Sequence, residues 1–184
     1  LTGDTTWYFQ IWTRDEVPTN WSGLSNGATV WVNPILSVSI STNTINLGVV
    51  EPNSYALTVS SLVVTNNGNI KQKFKLKIVS EPNATWESVT ATSPGAEQYR
   101  YSGIFRSTQP ATSDFLSEDS FSVSTERTSS SVDLARDADP DEQKGFNVSP
   151  DDTRNLWFKF EAPTSTNITT TQAIPLTITA EPYP

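Results

Sequence analysis

The side chains of this chain most able to do chemistry are its acids, because it contains no His, Cys or Met. Without His or Cys, catalytic arrangements of the Ser-His-Asp or Cys-His type cannot be built. Two carboxylates about 5–10 Å apart can hydrolyse glycosides, but they must converge on one cleft. The acidic clusters fall instead in predicted loops, at Glu118-Asp119, 137–142 and Asp151-Asp152. We therefore predict a protein that is not an enzyme and needs no cofactor.

One acidic loop has the composition of a calcium ligand set. Its four acids are Asp137, Asp139, Asp141 and Glu142. Ca²⁺ takes about six to eight oxygen ligands, which a loop can supply. The spacing departs from an EF-hand, because Glu142 stands where Gly is needed and Val148 where the last Glu is needed. Two interpretations stay open: an irregular calcium site, with Asp133 or Asp151 as a further ligand, and a solvated acidic loop.

Aromatic side chains are the other group that could bind a ligand. The chain has six Trp residues. Four lie close together in sequence, at Trp7, Trp12, Trp21 and Trp31. An exposed row of such rings can hold a sugar, whereas buried Trp residues pack in a core or a subunit interface. Carbohydrate is therefore a candidate partner, with burial against the sheet or a neighbouring subunit as the competing hypothesis. Trp86 and Trp157 are predicted to lie in the core or on strand faces.

The charge distribution argues against nucleic acid as a partner. The net charge is −8, and the only basic cluster is a row of four Lys residues between 71 and 77. A phosphate backbone attracts a basic surface. We interpret the Lys row as a solvated sheet face that discourages unwanted edge pairing. No apolar run approaches the roughly 18 residues that a membrane span requires.

Several features favour an extracellular or cell-surface location. The chain starts at Leu1 instead of Met, which suggests a mature protein whose signal peptide has been cleaved. It also contains four Asn-X-Ser/Thr sequons, which are candidate glycosylation sites in a secreted protein. They begin at Asn20, Asn83, Asn147 and Asn167.

The elements that must position these residues are strands. In residues 70–78 apolar side chains alternate with Lys, which indicates a strand with one buried and one solvated face. Residues 62–65 precede it, and Asn66-Asn67-Gly68-Asn69 between them predicts a tight hairpin turn. Short alternating segments recur near 36–40, 45–49, 55–65, 86–89, 98–106, 121–125, 155–161 and 174–180.

This pattern predicts an all-β protein with a single β-sandwich of about seven to ten strands, immunoglobulin-like or jelly-roll in type. We assign residues 34–184 to the sandwich and 1–33 to a Trp-rich N-terminal arm and short strand. Pro175 withdraws a backbone donor, so the last strand is expected to begin there or to lie on an edge.

Residues 5–13 of the arm form a candidate donor strand. Trp7, Phe9 and Ile11 share one predicted face, and Tyr8, Gln10 and Trp12 the other. Because both faces are largely apolar, we expect both to be covered. The candidate interface residues are Trp7, Tyr8, Phe9, Ile11 and Trp12.

Three segments resemble known secreted proteins. Two of them are Ile45-Asn-Leu-Gly-Val-Val-Glu-Pro-Asn53 and Leu62-Val-Val-Thr-Asn-Asn-Gly-Asn69. Together they resemble a sequence pattern of secreted prokaryotic immunoglobulin-like modules. The same pattern is similar to the first strands in the TasA/camelysin family of biofilm-fibre subunits. Phe158-Lys-Phe-Glu-Ala162 resembles a late core strand of that family. The Trp-rich arm and residues 91–154 depart from it. The resemblance implies an extracellular scaffold, such as a filament whose subunits exchange a donor strand, and transfers no catalytic residue.

Two functional hypotheses follow. In the first, the chain is a structural subunit whose arm enters a neighbouring copy and builds a homopolymer head to tail, as a filament, pilus-like fibre or tube. In the second, it is a monomeric module that binds carbohydrate or a cell surface through exposed Trp side chains. The sequence leaves open whether the arm pairs within its own chain or with another.

Overall fold

The chain is built from β-strands joined by turns and loops, as the sequence predicts. The computed structural model describes residues 2–14, 21–90, 93–135 and 143–184. Its twelve strands are β1 (Thr5–Phe9), β2 (Ala28–Val32), β3 (Val38–Ile40), β4 (Tyr55–Leu57), β5 (Leu62–Asn66), β6 (Gln72–Ile78), β7 (Glu87–Ser88), β8 (Gln98–Phe105), β9 (Ser120–Phe121), β10 (Arg127–Thr128), β11 (Thr153–Glu161) and β12 (Leu176–Pro182). Two short 3₁₀ turns, Thr112–Asp114 and Ser117–Asp119, are the only helical turns among these residues.

Two sheets share one core, in the arrangement of a β-sandwich. The larger has the order β3-β5-β11-β8-β7, with β4 also paired to β11 and β9 to β8. The smaller has the order β10-β6-β12. Both sheets contribute side chains to a continuous buried cluster, whose fully buried members include Val64, Phe74, Leu76, Ile78, Tyr99, Phe105, Phe121 and Leu156. The apolar alternation of β6 and β11 is thus confirmed as the source of the core.

The predicted hairpin over residues 62–79 is wrong. Its two strands form, but β5 pairs with β3 and β11 in the larger sheet, while β6 pairs with β10 and β12 in the smaller one. The Asn/Gly turn therefore crosses the core from one sheet to the other. Alternation within a strand reports which face is buried, and it carries no information about which strand lies alongside.

The side chain of Asn66 explains the crossing. It is fully buried, and its Nδ2 donates to the carbonyls of Ile70 (2.9 Å) and Val148 (2.8 Å). Its Oδ1 accepts the backbone N–H of Gly68 at 2.8 Å. The carboxamide thus replaces the ladder bonds that the backbone of a hairpin turn would make, and it satisfies groups buried between the sheets.

The segment over 45–49, predicted as a strand, is also different. Residues 42–50 belong to no strand and form no backbone–backbone hydrogen bond with another element. Ile45, Leu47 and Val50 pack against the core, whereas Val49 is 92% exposed. Gly48 has a φ of +71°, a backbone conformation that glycine adopts without steric strain. After Gly48 the inward-facing position therefore moves from Val49 to Val50.

A smaller apolar cluster lies on the other side of β11. Trp157 packs there with Ile104 and Phe115, beneath the segment that carries the two 3₁₀ turns. Lys159 is also buried on this face, where its Nζ pairs with Glu161 at 3.0 Å. Both faces of β11 are therefore covered, which makes it the central strand of the larger sheet.

A buried carboxyl group lies under the second 3₁₀ turn. Asp119 is fully buried, and its Oδ2 accepts the backbone N–H of Leu116 at 2.8 Å. Its Oδ1 has no partner with good hydrogen-bond geometry, although the backbone N–H groups of Leu134 and Ala135 lie close enough to oppose the rise of its pKa. Burial raises the pKa of Asp119 to about 7, and the neighbouring carboxylate of Glu118 adds to the rise. The fold therefore favours the protonated form of this group.

We predict that Asn66→Ala lowers the free energy of unfolding by about 3 kcal/mol, because it leaves buried backbone groups without partners. Chemical denaturation monitored by tryptophan fluorescence measures the change. Asn67→Ala is the matched control, because the Asn67 side chain is exposed, and it should change stability by no more than about 0.5 kcal/mol. Equal effects of the two substitutions would contradict the role given to Asn66.

We also predict that the protein loses stability as the pH rises from 5 to 8. The folded pKa of Asp119 lies above its ordinary value of 3.8, so its contribution is fully present below about pH 4 and is lost through about pH 7. The loss between pH 5 and 8 should be about 3 kcal/mol. In Asp119→Asn, urea titrations at both pH values should give nearly equal free energies; a slope like that of the wild type would refute the assignment.

Candidate functional site

The N-terminal arm is a β-hairpin that stands apart from the sandwich. Strand β1 pairs antiparallel with β2, and the two form a separate two-stranded sheet. The ribbon continues beyond the strands, where Ser25 N–H donates to the carbonyl of Ile11 and Ser22 N–H to that of Thr13. Arg14 pairs with Trp21 across the ribbon, and its guanidinium lies 5.5 Å from the ring centroid. The candidate donor strand is thus paired within its own chain.

The register of the hairpin gives it two apolar faces. Trp7 lies opposite Val30 on one face, and Thr6 lies opposite Trp31 on the other, beside Tyr8. Neither face is covered, and only Trp7 of the five candidate interface residues is half-buried. The exposed fractions of the other four are 78% for Tyr8, 45% for Phe9, 68% for Ile11 and 54% for Trp12.

Further exposed apolar side chains extend the hairpin surface. They are Trp21, Leu24, Val30 and Trp31. Asp4 and Arg14 are the only charged residues within 2–14 and 21–33. The described part of the hairpin is therefore an apolar surface with almost no charge. Contiguous exposed apolar patches of this kind mark interaction sites.

Asn69, in the turn that joins β5 and β6, attaches the hairpin to the sandwich. Its Nδ2 donates to the carbonyl of Asn33 (2.9 Å), and its Oδ1 accepts the N–H of Ile35 (2.7 Å). Its backbone carbonyl accepts the N–H of Gly3 at 2.7 Å. A side chain at Gly3 would collide with Asn69, so the close approach requires glycine here. One residue therefore holds both ends of the hairpin.

One side of the sandwich leaves its core partly open. Eight half-buried apolar side chains at the margin of the main core come from three stretches: β3, the segment over 45–50 and the stretch over 174–180. Trp86 and Val123 are the other half-buried apolar residues packed on this core in the described structure. We call this margin the open side; its residues are Val38, Ile45, Leu47, Val50, Ile174, Leu176, Ile178 and Ala180. Strands β3 and β12 lie near each other there, with Cα atoms within 8 Å.

Both strands of the open side have an unpaired edge. In the described sheets, β12 pairs with β6 alone and β3 with β5 alone. Two bonds flank the pairing of β12 with β6: Val79 N–H donates to the carbonyl of Pro175, and Tyr183 N–H donates to that of Lys71. Since hydrogen-bonded pairs alternate along an antiparallel ladder, the odd-numbered residues of β12 are the ones bonded to β6. The even-numbered residues therefore direct their backbone groups outward. The outward N–H groups belong to Leu176, Ile178 and Ala180.

The outer face of the smaller sheet carries charge, which the open side does not. Lys73 pairs with Glu181 at 2.8 Å, and Lys75 pairs with Glu126. The hydrogen bond from Lys73 holds the pKa of Glu181 below its usual range. The Lys row is thus a solvated face partly neutralised by acids, in line with its interpretation from the sequence.

The remaining candidate residues are not brought together with the hairpin. The calcium candidates Asp137, Asp139, Asp141 and Glu142 and the sequon residue Asn20 lie outside the described residues. Within the described ranges, no group of three or more His, Cys, Asp or Glu side chains is placed to hold a metal ion. No helix in those ranges has the length and apolar character to cross a membrane.

The three described sequons differ in accessibility. Asn147 and Asn167 are exposed. Asn83 is half-buried, with its Nδ2 bonded to Gln172 (2.7 Å) and its Oδ1 accepting the N–H groups of Thr85 and Trp86. Among these three, Asn147 and Asn167 are therefore the accessible candidates for attachment of a sugar.

Sequence reasoning did not identify the open side as a functional feature. Two signals pointed to it: Pro175 at the start of the last strand, and the alternation of Leu176, Ile178 and Ala180 with Thr. The strand and its edge position are confirmed. The sequence did not predict that the segment over 45–50 is unpaired, because its alternating apolar residues are typical of a strand.

Comparison of the chain with protein-family models, with curated proteins and with solved structures finds no match.

Proposed function

We propose that this protein is a non-enzymatic structural subunit of an extracellular homopolymer, a filament, pilus-like fibre or tube, which assembles head to tail through its N-terminal arm. The observation that carries the proposal is the hairpin, whose large apolar side chains are exposed on both faces. A two-stranded hairpin is at best marginally stable in water. Its aromatic composition is therefore best explained by a partner that covers it.

The energetics support association through this surface. Burying a side chain such as Ile11 or Trp12 contributes about 1.5–3 kcal/mol. Four or five such residues, with backbone hydrogen bonds of about 1 kcal/mol each, offset an association cost of about 4–15 kcal/mol. Pairing of β1 with β2 and attachment of the hairpin base to Asn69 restrict the arm, so less conformational entropy is lost on binding than for an unpaired arm.

A second copy is the partner that the chain itself supplies. The hairpin and the open side of the sandwich are different surfaces, so contact between them is heterologous. A heterologous contact repeats from copy to copy and builds an open polymer unless the rotation closes a ring. The exposed Asn147 and Asn167 sequons are compatible with an extracellular location.

Carbohydrate binding is the second candidate function. Its support is the exposure of three Trp side chains on the hairpin, at 54% for Trp12, 57% for Trp21 and 53% for Trp31. A ring half exposed at the surface can stack on a sugar. The two functions differ in what happens to the hairpin of the purified chain, which self-association buries and sugar binding leaves free.

We predict that the purified chain forms polymers and that Tyr8→Asp prevents them. Tyr8 is 78% exposed, so its loss costs a single chain little, whereas a carboxylate at a buried interface is strongly unfavourable. Sedimentation and negative-stain microscopy should show polymers for the wild type and monomers for the variant. The critical concentration for assembly of the variant should be at least about 100-fold higher than that of the wild type.

The matched control is Val59→Asp, which adds the same charge at an exposed apolar side chain that belongs to neither the hairpin nor the open side. Val59 is 90% exposed, so this variant should assemble with a critical concentration within about tenfold of the wild type. A wild-type chain that stays a folded monomer would argue against the polymer. Binding of that monomer to an immobilised glycan panel, abolished by Trp12→Ala, would then favour the second function.

A further inference from the structure

The hairpin and the open side have complementary unpaired backbone groups. Strands β1 and β2 pair only with each other in the described sheets, so each keeps one free edge. Strand β12 also has one free edge, with outward N–H groups at Leu176, Ile178 and Ala180. Unpaired edges of this kind are templates for strand addition.

Of the two edges on the open side, that of β12 is the better acceptor. Strand β3 has only three residues, Val38–Ile40, and β12 has seven, Leu176–Pro182. In β3 the residues hydrogen-bonded to β5 are odd-numbered, since Asn67 N–H donates to Ser37 and Ser41 N–H to Val63. Its outward donors are therefore only those of Val38 and Ile40. A ladder on β12 can be longer.

The side chains beside this edge match those of the hairpin. Leu176, Ile178 and Ala180 are half-buried and pack against the core, as do Ile45 and Leu47 of the unpaired segment. A ribbon that extends the smaller sheet places alternate side chains over this margin. The face of β1 and β2 that carries Tyr8 and Trp31 is apolar and has no charged residue, so it can cover this margin.

In the described sheets, the hairpin of the same chain does not pair with this edge. Its base is held by Asn69, two residues from Lys71, whose carbonyl binds the N–H of Tyr183 just after β12. The hairpin thus leaves the sandwich at the end where β12 finishes, and in the described sheets its two strands pair only with each other. The paired ribbon runs from Thr5 to Arg14 on one side of the hairpin, ten residues that extend about 33 Å at about 3.3 Å per residue. This length exceeds the roughly 23 Å spanned by the seven residues of β12.

We propose that the hairpin of one copy adds, as a preformed two-stranded ribbon, to the free edge of β12 in a second copy and extends the smaller sheet from three strands to five. This inference rests on the proposed polymer function. It names the accepting surface, and it keeps β1 paired with β2. Release of β1 alone would break that pairing and leave the apolar face of β2 unpartnered.

The accepting edge is tested with Ala180→Pro, which removes an outward N–H and leaves the bonds between β12 and β6 in place. The preceding residue, Thr179, is already in a strand, the conformation that a following proline favours. We expect the critical concentration for assembly to rise at least about tenfold. Ala180→Val keeps the N–H and should stay within about threefold of the wild type.

Hydrogen–deuterium exchange on the wild type gives a second measurement that needs no variant. The amides of Leu176, Ile178 and Ala180 face outward in the single chain, so they should exchange at least about tenfold more slowly in the polymer than in the dilute monomer. Unchanged exchange at these amides in the polymer, or assembly of folded Ala180→Pro at the wild-type concentration, would overturn the assignment of β12.

The intact ribbon is tested with a reversible crosslink. Thr5 lies directly opposite Val32, and the chain has no Cys, so Thr5→Cys with Val32→Cys forms a single disulfide that locks the hairpin. The oxidised and reduced forms should assemble with critical concentrations within about threefold of each other. If only the reduced form assembles, β1 is released alone and the ribbon proposal is wrong.

The outcomes separate this inference from the proposed function. A wild-type chain that never assembles overturns both. If Ala180→Pro assembles like the wild type, the polymer function stands and the assignment of β12 as the accepting edge is wrong. If the crosslinked chain assembles only after reduction, the polymer function stands and the addition of an intact ribbon is wrong.

Discussion

The turn from Asn66 to Asn69 is the feature on which the rest of the structure depends, because its two terminal asparagines direct the chain in different ways. The carboxamide of Asn66 satisfies backbone groups buried between the sheets, at Ile70, Val148 and Gly68. The chain can therefore cross the core without leaving polar groups unpaired, which would cost about 1–3 kcal/mol each. Since β5 and β6 enter different sheets, their apolar faces meet and form the core.

Asn69 places the hairpin at the end of the same turn. It binds Asn33, Ile35 and Gly3, so the arm begins where the two sheets are joined. The position of the arm is consequently tied to the geometry of the core. The described part of the hairpin exposes apolar side chains on both faces, so its attachment at Asn69 connects a structural turn to the proposed assembly of the protein.

The need to satisfy strand edges links the other features. In the larger sheet, the centre of β11 is covered on both faces and paired on both sides, so that strand is available for no partner. The smaller sheet ends at β12, and the segment over 45–50 contributes side chains to the core margin without forming a ladder. Unpaired edges combined with half-buried apolar side chains are what a strand from another chain would complete.

The sequence by itself determined the all-β class and the buried faces of β6 and β11, because side-chain alternation is a local property. It limited Pro175 to a strand start or an edge, and the tertiary structure decided that the strand after it is an edge. The sequence also identified the arm as apolar on both faces. Only the tertiary structure decided that β5 and β6 separate, that Ile45 and Leu47 fill the core without a strand, and that Asp119 is buried. Those outcomes depend on packing and hydrogen bonds between residues far apart in the chain, such as the bond from Asn66 to Val148, and alternation within one segment carries no record of them.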